Sequence, residues 1–139
     1  MGASLVHRLV ENGHFVRVLD NEWRGTRARL KDRTGNLEFL QADIREAKAV
    51  ENAVKGVDAV VHLAFVNGTA FFYEQPDLVL DVGVKGIVNV IDACRKNGVG
   101  DLAVASSSEV YNEPDQVPTD ESVLLKIPDP LNPRYSYSA

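Results

Sequence analysis

The chain has 139 residues, 45% of them hydrophobic and 25% charged, with a formal charge of -5. This is the mix of an ordinary globular domain with room for one core. The acidic balance and the lack of a Lys/Arg stripe speak against nucleic acid as a partner. No apolar run reaches the roughly 18 residues of a membrane span, and the start does not read as a signal peptide. The single cysteine, Cys94, excludes an internal disulfide and fits a reducing cytoplasm. Its place in an apolar helical pattern makes it a small buried hydrophobe.

Leu5, Val6, Leu9 and Val10 recur at helical spacing, with Asn12-Gly13 as the stop. His14 to Asp20 reads as a short strand ending in an acid. Residues 22 to 32, rich in Arg and polar groups, are predicted as an exposed helix or loop. Leu37 to Ala42 alternates as a strand and is followed by Asp43. Ala47, Val50, Ala53 and Val54 form a helical stripe that stops at Gly56. Ala59 to Ala64 is nearly all apolar, the pattern of a strand covered on both faces. His62 within it reads as a packed core histidine. A loop with aromatics runs from Phe65 to Pro76, a long helical periodicity covers residues 77 to 97 up to Asn97-Gly98, and Leu102 to Ser106 is the next strand. Beyond Tyr111 the period dissolves. Pro114, Pro118, Pro128, Pro130 and Pro133 punctuate a long loop over about residues 112 to 135.

Strands that alternate with helices make β-α-β units and a parallel sheet, so the fold class is α/β. Ligands of such sheets bind outside the carboxyl ends of the strands. The strand-end residues Asp20, Asp43, Ala64 and Ser106 to Ser108 are therefore the candidates for function. Asp20 lies roughly 20 residues past the place where a glycine-rich phosphate turn belongs, the spacing of an acid that binds a ribose 2′-hydroxyl. A carboxylate there accepts hydrogen bonds from a diol and repels a 2′-phosphate, which favours NAD over NADP. Gly2 alone could be the last glycine of that turn, the one that lets the helix pack closely on the sheet.

Six motifs occur in order: Gly2-Ala-Ser-Leu-Val6, Gly13-His-x-Val-x-Val-Leu-Asp20-Asn21, Ala42-Asp43-Ile44-Arg45, Val60-Val-His-Leu-Ala64, Gly86-x-x-Asn89-Val90 and Ser106-Ser-Ser-Glu-Val-Tyr111. Together they resemble the NAD-dependent epimerase/dehydratase family, the extended short-chain dehydrogenases that act on nucleotide sugars. The resemblance covers the whole chain. It implies a Rossmann-type doubly wound parallel sheet, here partial, with residues 1 to 139 forming a partial NAD-binding domain. The first strand, the first glycines of the loop and the substrate domain are expected to lie outside this sequence. By resemblance Asp20 holds the adenosine ribose with Asn21 beside it, Asp43 and Ile44 flank the adenine, and Leu63, Ala64 and Phe65 pass under the cofactor. Val66 to Tyr73 would line the sugar pocket, and the long helix is where members of the family dimerise. The family usually has Asn where this chain has Gly83 and Thr where it has Ile87.

Hydride transfer from a sugar alcohol needs a base for the hydroxyl proton, a donor that holds the oxygen, and a cation that lowers the pKa of the base. A tyrosine, with an unperturbed pKa of about 10, needs a neighbouring Lys to serve. In the family this is Tyr-x-x-x-Lys with a Ser or Thr. Counting four residues on from Tyr135 gives Ala139, which cannot serve; from Tyr137 the Lys falls two positions past Ala139. Tyr137 is therefore the candidate base and Ser107 its partner, with Ser108 as the alternative. The run Ser107-Ser108-Glu109 lacks the Asp of the dehydratase Thr-Asp-Glu run. That weighs against 4,6-dehydration and leaves 4-epimerisation or decarboxylation, with Glu109 in a supporting role. The expectation is a nucleotide-sugar 4-epimerase. The alternatives are a decarboxylase or dehydratase of the same family, a related reductase, or a non-catalytic dinucleotide-binding module. Without the Lys and the glycine loop, the chain as written is expected to bind NAD weakly and to turn over nothing.

Overall fold

A computed structural model describes residues 1–30, 35–127, 129 and 131–133. Helix α1 (Gly2–Glu11) buries Val6 and ends at Asn12. Gly13, at φ 85°, then makes the left-handed turn into strand β1 (Val16–Asp20), a conformation glycine adopts without a Cβ penalty. A single 3-10 turn, Arg27–Arg29, is all the regular structure among the described residues before β2 (Leu37–Gln41). The chain continues through α2 (Ala47–Val54) to β3 (Ala59–His62).

The stretch expected as an aromatic loop holds a helix. Thr69–Glu74 forms α3, with Gly68 at φ 140° as the break before it. The six residues contain no Gly or Pro, and Phe72 is buried, which anchors the turn. Pro76 opens α4 (Pro76–Leu80), where the first helical position needs no N–H. The chain then passes without a break through a π-helical turn, Asp81–Lys85, into α5 (Gly86–Asn97). The periodicity over residues 77 to 97 is thus one helical rod with an irregular turn inside it. Gly98, left-handed at φ 70°, ends it before β4 (Asp101–Val104).

All pairing is parallel. Val16 to Asp20 match Leu37 to Gln41, and Ala59 to His62 match Asp101 to Val104. Among the described residues no ladder joins one pair to the other. Helices connect them: α2 packs on β1, α5 packs on β3, and α2 packs on α5. The core lies in this helical layer, with Val50 and Val54 of α2 against Val90, Ala93 and Cys94 of α5, and Val79 fully buried. Cys94 is buried as expected, and burial raises its thiol pKa.

Strand β3 is not covered on both faces as its apolar run predicted. Val60 packs on the helical core with Leu102, whereas Val61 on the opposite face remains 47% exposed. Helix α5 packs on the Val60 side of the strand. His62 is half-buried, and desolvation lowers its pKa.

Candidate functional site

The carboxyl ends of β1, β2 and β3 converge on one cleft of about 280 Å³. Leu19 to Asn21 come from the end of β1, Ala42 to Arg45 from the end of β2, and Leu63 to Val66 from the end of β3. Leu78 and Val82 of the long helical rod close the back, and Trp23 to Gly25 form part of the rim. Asp20, Asn21, Asp43, Ile44, Leu63, Ala64 and Phe65, all singled out from the sequence, therefore share one wall system.

The loop after β1 is built from side-chain turns. Asp20 Oδ1 accepts the Glu22 N–H at 2.6 Å, and Asn21 Oδ1 accepts the Trp23 N–H at 3.0 Å. Such Asx turns suit Asp and Asn, whose short side chains bond the backbone two residues on. Two contacts tie this loop to the segment after β3. Trp23 packs on Phe71 with ring centroids 4.8 Å apart and planes tilted by 54°. Arg24 donates through Nη1 to the Asn67 carbonyl.

Asp43 is the electrostatic centre. Its Oδ1 accepts the Arg45 N–H at 2.9 Å and Arg45 Nε at 3.0 Å. Its Oδ2 accepts Arg45 Nη2 at 2.9 Å and Asn21 Nδ2 at 3.2 Å. The guanidinium hydrogen bonds hold the carboxyl pKa at about 2, against the opposing effect of burial. Arg45 reaches further, donating Nη1 to Asp81 Oδ2 at 3.1 Å, and both carboxylates raise its pKa. Asp81 is also paired with Lys85 at the other end of the π turn, and Lys85 first and Arg45 next lower its pKa.

Two glycines of the rod seat the cleft walls. A Cβ on Gly86 would overlap the Ile44 side chain, and a Cβ on Gly83 would come 2.7 Å from the Phe65 ring. The room that the family's usual Asn would take at position 83 is filled by Phe65. Asn89 donates Nδ2 to the Ile44 carbonyl at 2.9 Å, which fixes the backbone beside Asp43. This gives the Gly86-x-x-Asn89 motif a physical meaning. Arg45, Gly83, Gly86 and Asn89 received no site role from the sequence. The signal was that Arg45, Gly86 and Asn89 stand inside the motifs quoted above and that Gly83 departs from the family pattern.

Gly2 does not join the cleft. It is exposed in the first turn of α1, and a Cβ there would meet nothing within 4 Å. Ser107 and Glu109 do not line the cleft; they stand together at the 3-10 turn Ser108–Tyr111 that follows β4. Ser107 Oγ caps that turn by accepting the Glu109 N–H at 3.3 Å. Glu109 Oε2 is buried with no hydrogen-bond partner among the described residues. Tyr137 and Tyr135 lie outside the described residues.

The cleft combines polar and apolar walls. It offers an exposed acid at a strand end, a fixed carboxylate beside it, and apolar walls. Its volume stands at the lower end of small-molecule pockets, about 300–1,000 Å³. The chain is 31% identical over 136 residues to a UDP-glucose 4-epimerase of Streptomyces lividans, covering 96% of this chain and 40% of that protein. It is 29% identical over 139 residues to UDP-glucuronic acid decarboxylase 1 of Danio rerio, covering 99% of this chain and 32% of that one. The chain thus spans well under half the length of these relatives. Among solved structures, DesIV of Streptomyces venezuelae, a dTDP-glucose 4,6-dehydratase with NAD and TYD bound, superimposes with a TM-score of 0.84 at 29% identity, covering 99% of this chain and 44% of that one. A UDP-galactose 4-epimerase structure does so with a TM-score of 0.82 at 29% identity, covering 99% and 42%. The family model for the NAD dependent epimerase/dehydratase family matches residues 1–139, and the chain belongs to that family.

Proposed function

We propose that the cleft binds the adenosine end of NAD and that the whole protein is an NAD-dependent nucleotide-sugar 4-epimerase. The observation that carries the cofactor reading is the convergence of three strand ends on one cleft. It brings Asp20, Asp43 and the Leu63-Ala64-Phe65 segment together. Asp20 Oδ1 is engaged by its own loop, and Oδ2 is left to accept from a ribose diol. The same charge disfavours a 2′-phosphate. Asn21 stands beside the ribose, Asp43 and Ile44 flank the base, and Leu63, Ala64 and Phe65 pass beneath the cofactor. Gly2 belongs to the phosphate turn by resemblance only.

Bound NAD would supply the hydride acceptor. Tyr137 takes the proton of the sugar hydroxyl, Ser107 holds its oxygen, and Glu109 supports the site from the same turn as Ser107. The long loop over about residues 112 to 135 lies on the substrate side. The relatives named above include a decarboxylase and a dehydratase, which keeps those reactions as the second reading. The missing Asp next to Glu109 favours epimerisation. We place the protein in the cytoplasm, supported by its one buried cysteine, and without nucleic-acid or membrane partners, supported by its net charge of -5. Among the described residues no helix is long and apolar enough to cross a membrane. A homodimer through the long rod is supported by an exposed apolar stripe, Leu80, Val84, Val88 and Ile91.

The test is equilibrium binding of NAD and NADP. The native protein is expected to prefer NAD. Asp20→Asn should weaken NAD binding about tenfold and reduce the preference over NADP, because the charge that repels the phosphate is gone. Equal binding of both cofactors by the native protein would overturn the assignment of Asp20.

A further inference from the structure

We propose that Arg45 is a positioning residue that turns Asp43 into a reader of a single ligand donor, and so sets the choice of nucleobase. The inference rests on the NAD reading above. A carboxylate offers about four acceptor positions. In Asp43 all four are used: three by Arg45, through its N–H, Nε and Nη2, and one by Asn21 Nδ2. The Asn21 bond is the longest of the four at 3.2 Å and comes from an exposed side chain. The three Arg45 bonds are not equally replaceable. The guanidinium is pinned at its far end by Asp81, and Asp81 is paired in turn with Lys85 inside the π turn. Rotating the fork away from Asp43 would break an ion pair on another element.

Only the position held by Asn21 can therefore be handed to a ligand. A base with an exocyclic amine supplies the one N–H that fits. A base with a carbonyl at the same place sets an oxygen against a carboxylate and is repelled. Ile44, held by Gly86 and Asn89, keeps the backbone of this reading point from shifting. Adenine meets the requirement and hypoxanthine does not. Without the Arg45 guanidinium the Asp43 carboxylate would regain two acceptor positions and rotational freedom, while the backbone N–H of residue 45 keeps its bond to Oδ1. Its selectivity, more than its attraction for the rest of the ligand, would be lost.

The experiment is calorimetric titration of the native protein, Arg45→Gln and Arg45→Lys with NAD and with nicotinamide hypoxanthine dinucleotide, alongside thermal melts by circular dichroism. The native protein is expected to favour NAD by about tenfold, and Arg45→Gln to bring the two ligands within about threefold of each other. Arg45→Lys should behave like Arg45→Gln, because an ammonium supplies a point charge and not a planar fork. If Arg45→Gln does not fold, Arg45→Lys decides. A preference that survives in the folded variants overturns the assignment of Arg45, and full rescue by Lys overturns the fork. Native protein that binds both dinucleotides equally overturns the base reader and leaves the NAD reading standing. Native protein that binds neither overturns both.

Discussion

Asp43 illustrates how a strand-end acid acquires a defined state from its neighbours. Its side chain is 16% exposed, and its pKa is held at about 2 against an ordinary 3.8. A group whose folded pKa is depressed contributes stability that is fully present above the unfolded pKa and is lost as pH falls through the folded one. The window here runs from about pH 4 down to about pH 2. Asp43→Asn is expected to start less stable at neutral pH and to lose less stability across that window. Denaturant midpoints measured against pH at fixed ionic strength check this, and parallel curves for the two proteins would count against the Arg45–Asp43 pair. The strand-end rule made Asp20 and Asp43 legible in the sequence, because it depends on local pattern alone. Arg45 was not legible in the same way. Two residues after an acid it reads only as a turn residue, and its second partner, Asp81, stands 36 residues further on.

At the scale of elements, the helical rod from Pro76 to Asn97 serves the cleft more than its periodicity indicated. Amphipathic spacing located the rod but not the π turn, which begins at Asp81, the partner of Arg45, and sets Gly83 against Phe65. The loop predicted over Phe65 to Pro76 proved partly helical because buried Phe72 and the Trp23–Phe71 contact supply tertiary support that a six-residue pattern cannot announce. The two glycine seats give a prediction with a sign. Alanine inside a helix is better than glycine by about 1 kcal/mol. At Gly86 the new methyl would overlap buried Ile44, and overpacking costs about 1–3 kcal/mol. Gly86→Ala should therefore lower stability in urea unfolding, while Gly83→Ala should stay near neutral because half-exposed Phe65 can turn aside. Equal effects at both positions would contradict the seating of Ile44.

At the scale of the molecule, the stripe of Leu80, Val84, Val88 and Ile91 occupies the side of the rod turned away from the core. Val88, 48% exposed, is the place to test its role in self-association. Val88→Asp is expected to move the sedimentation profile toward monomer without lowering the melting temperature of the monomer. A native protein that sediments as a monomer at all concentrations would remove the dimer reading. The sequence made the order of strands and helices readable, since alternation implies parallel pairing. It did not show how far each face of β3 is covered, because an apolar run looks the same whether one face is covered or two.

The way the two strand pairs are joined has a consequence for how the molecule comes apart. A pair of strands on its own is marginal in water, and here each pair leans on a different helix. The two pairs meet at the seam between α2 and α5, where Val50, Val54, Val90 and Ala93 pack and Lys96 reaches Glu51 at 3.3 Å. Arg17 adds a strut, donating from β1 to the Ala53 and Lys55 carbonyls at the end of α2. Together with the Arg45–Asp81 and Asn89–Ile44 contacts, that seam ties the walls of the cleft to one another, so loosening it would slacken the cleft before either strand pair is lost.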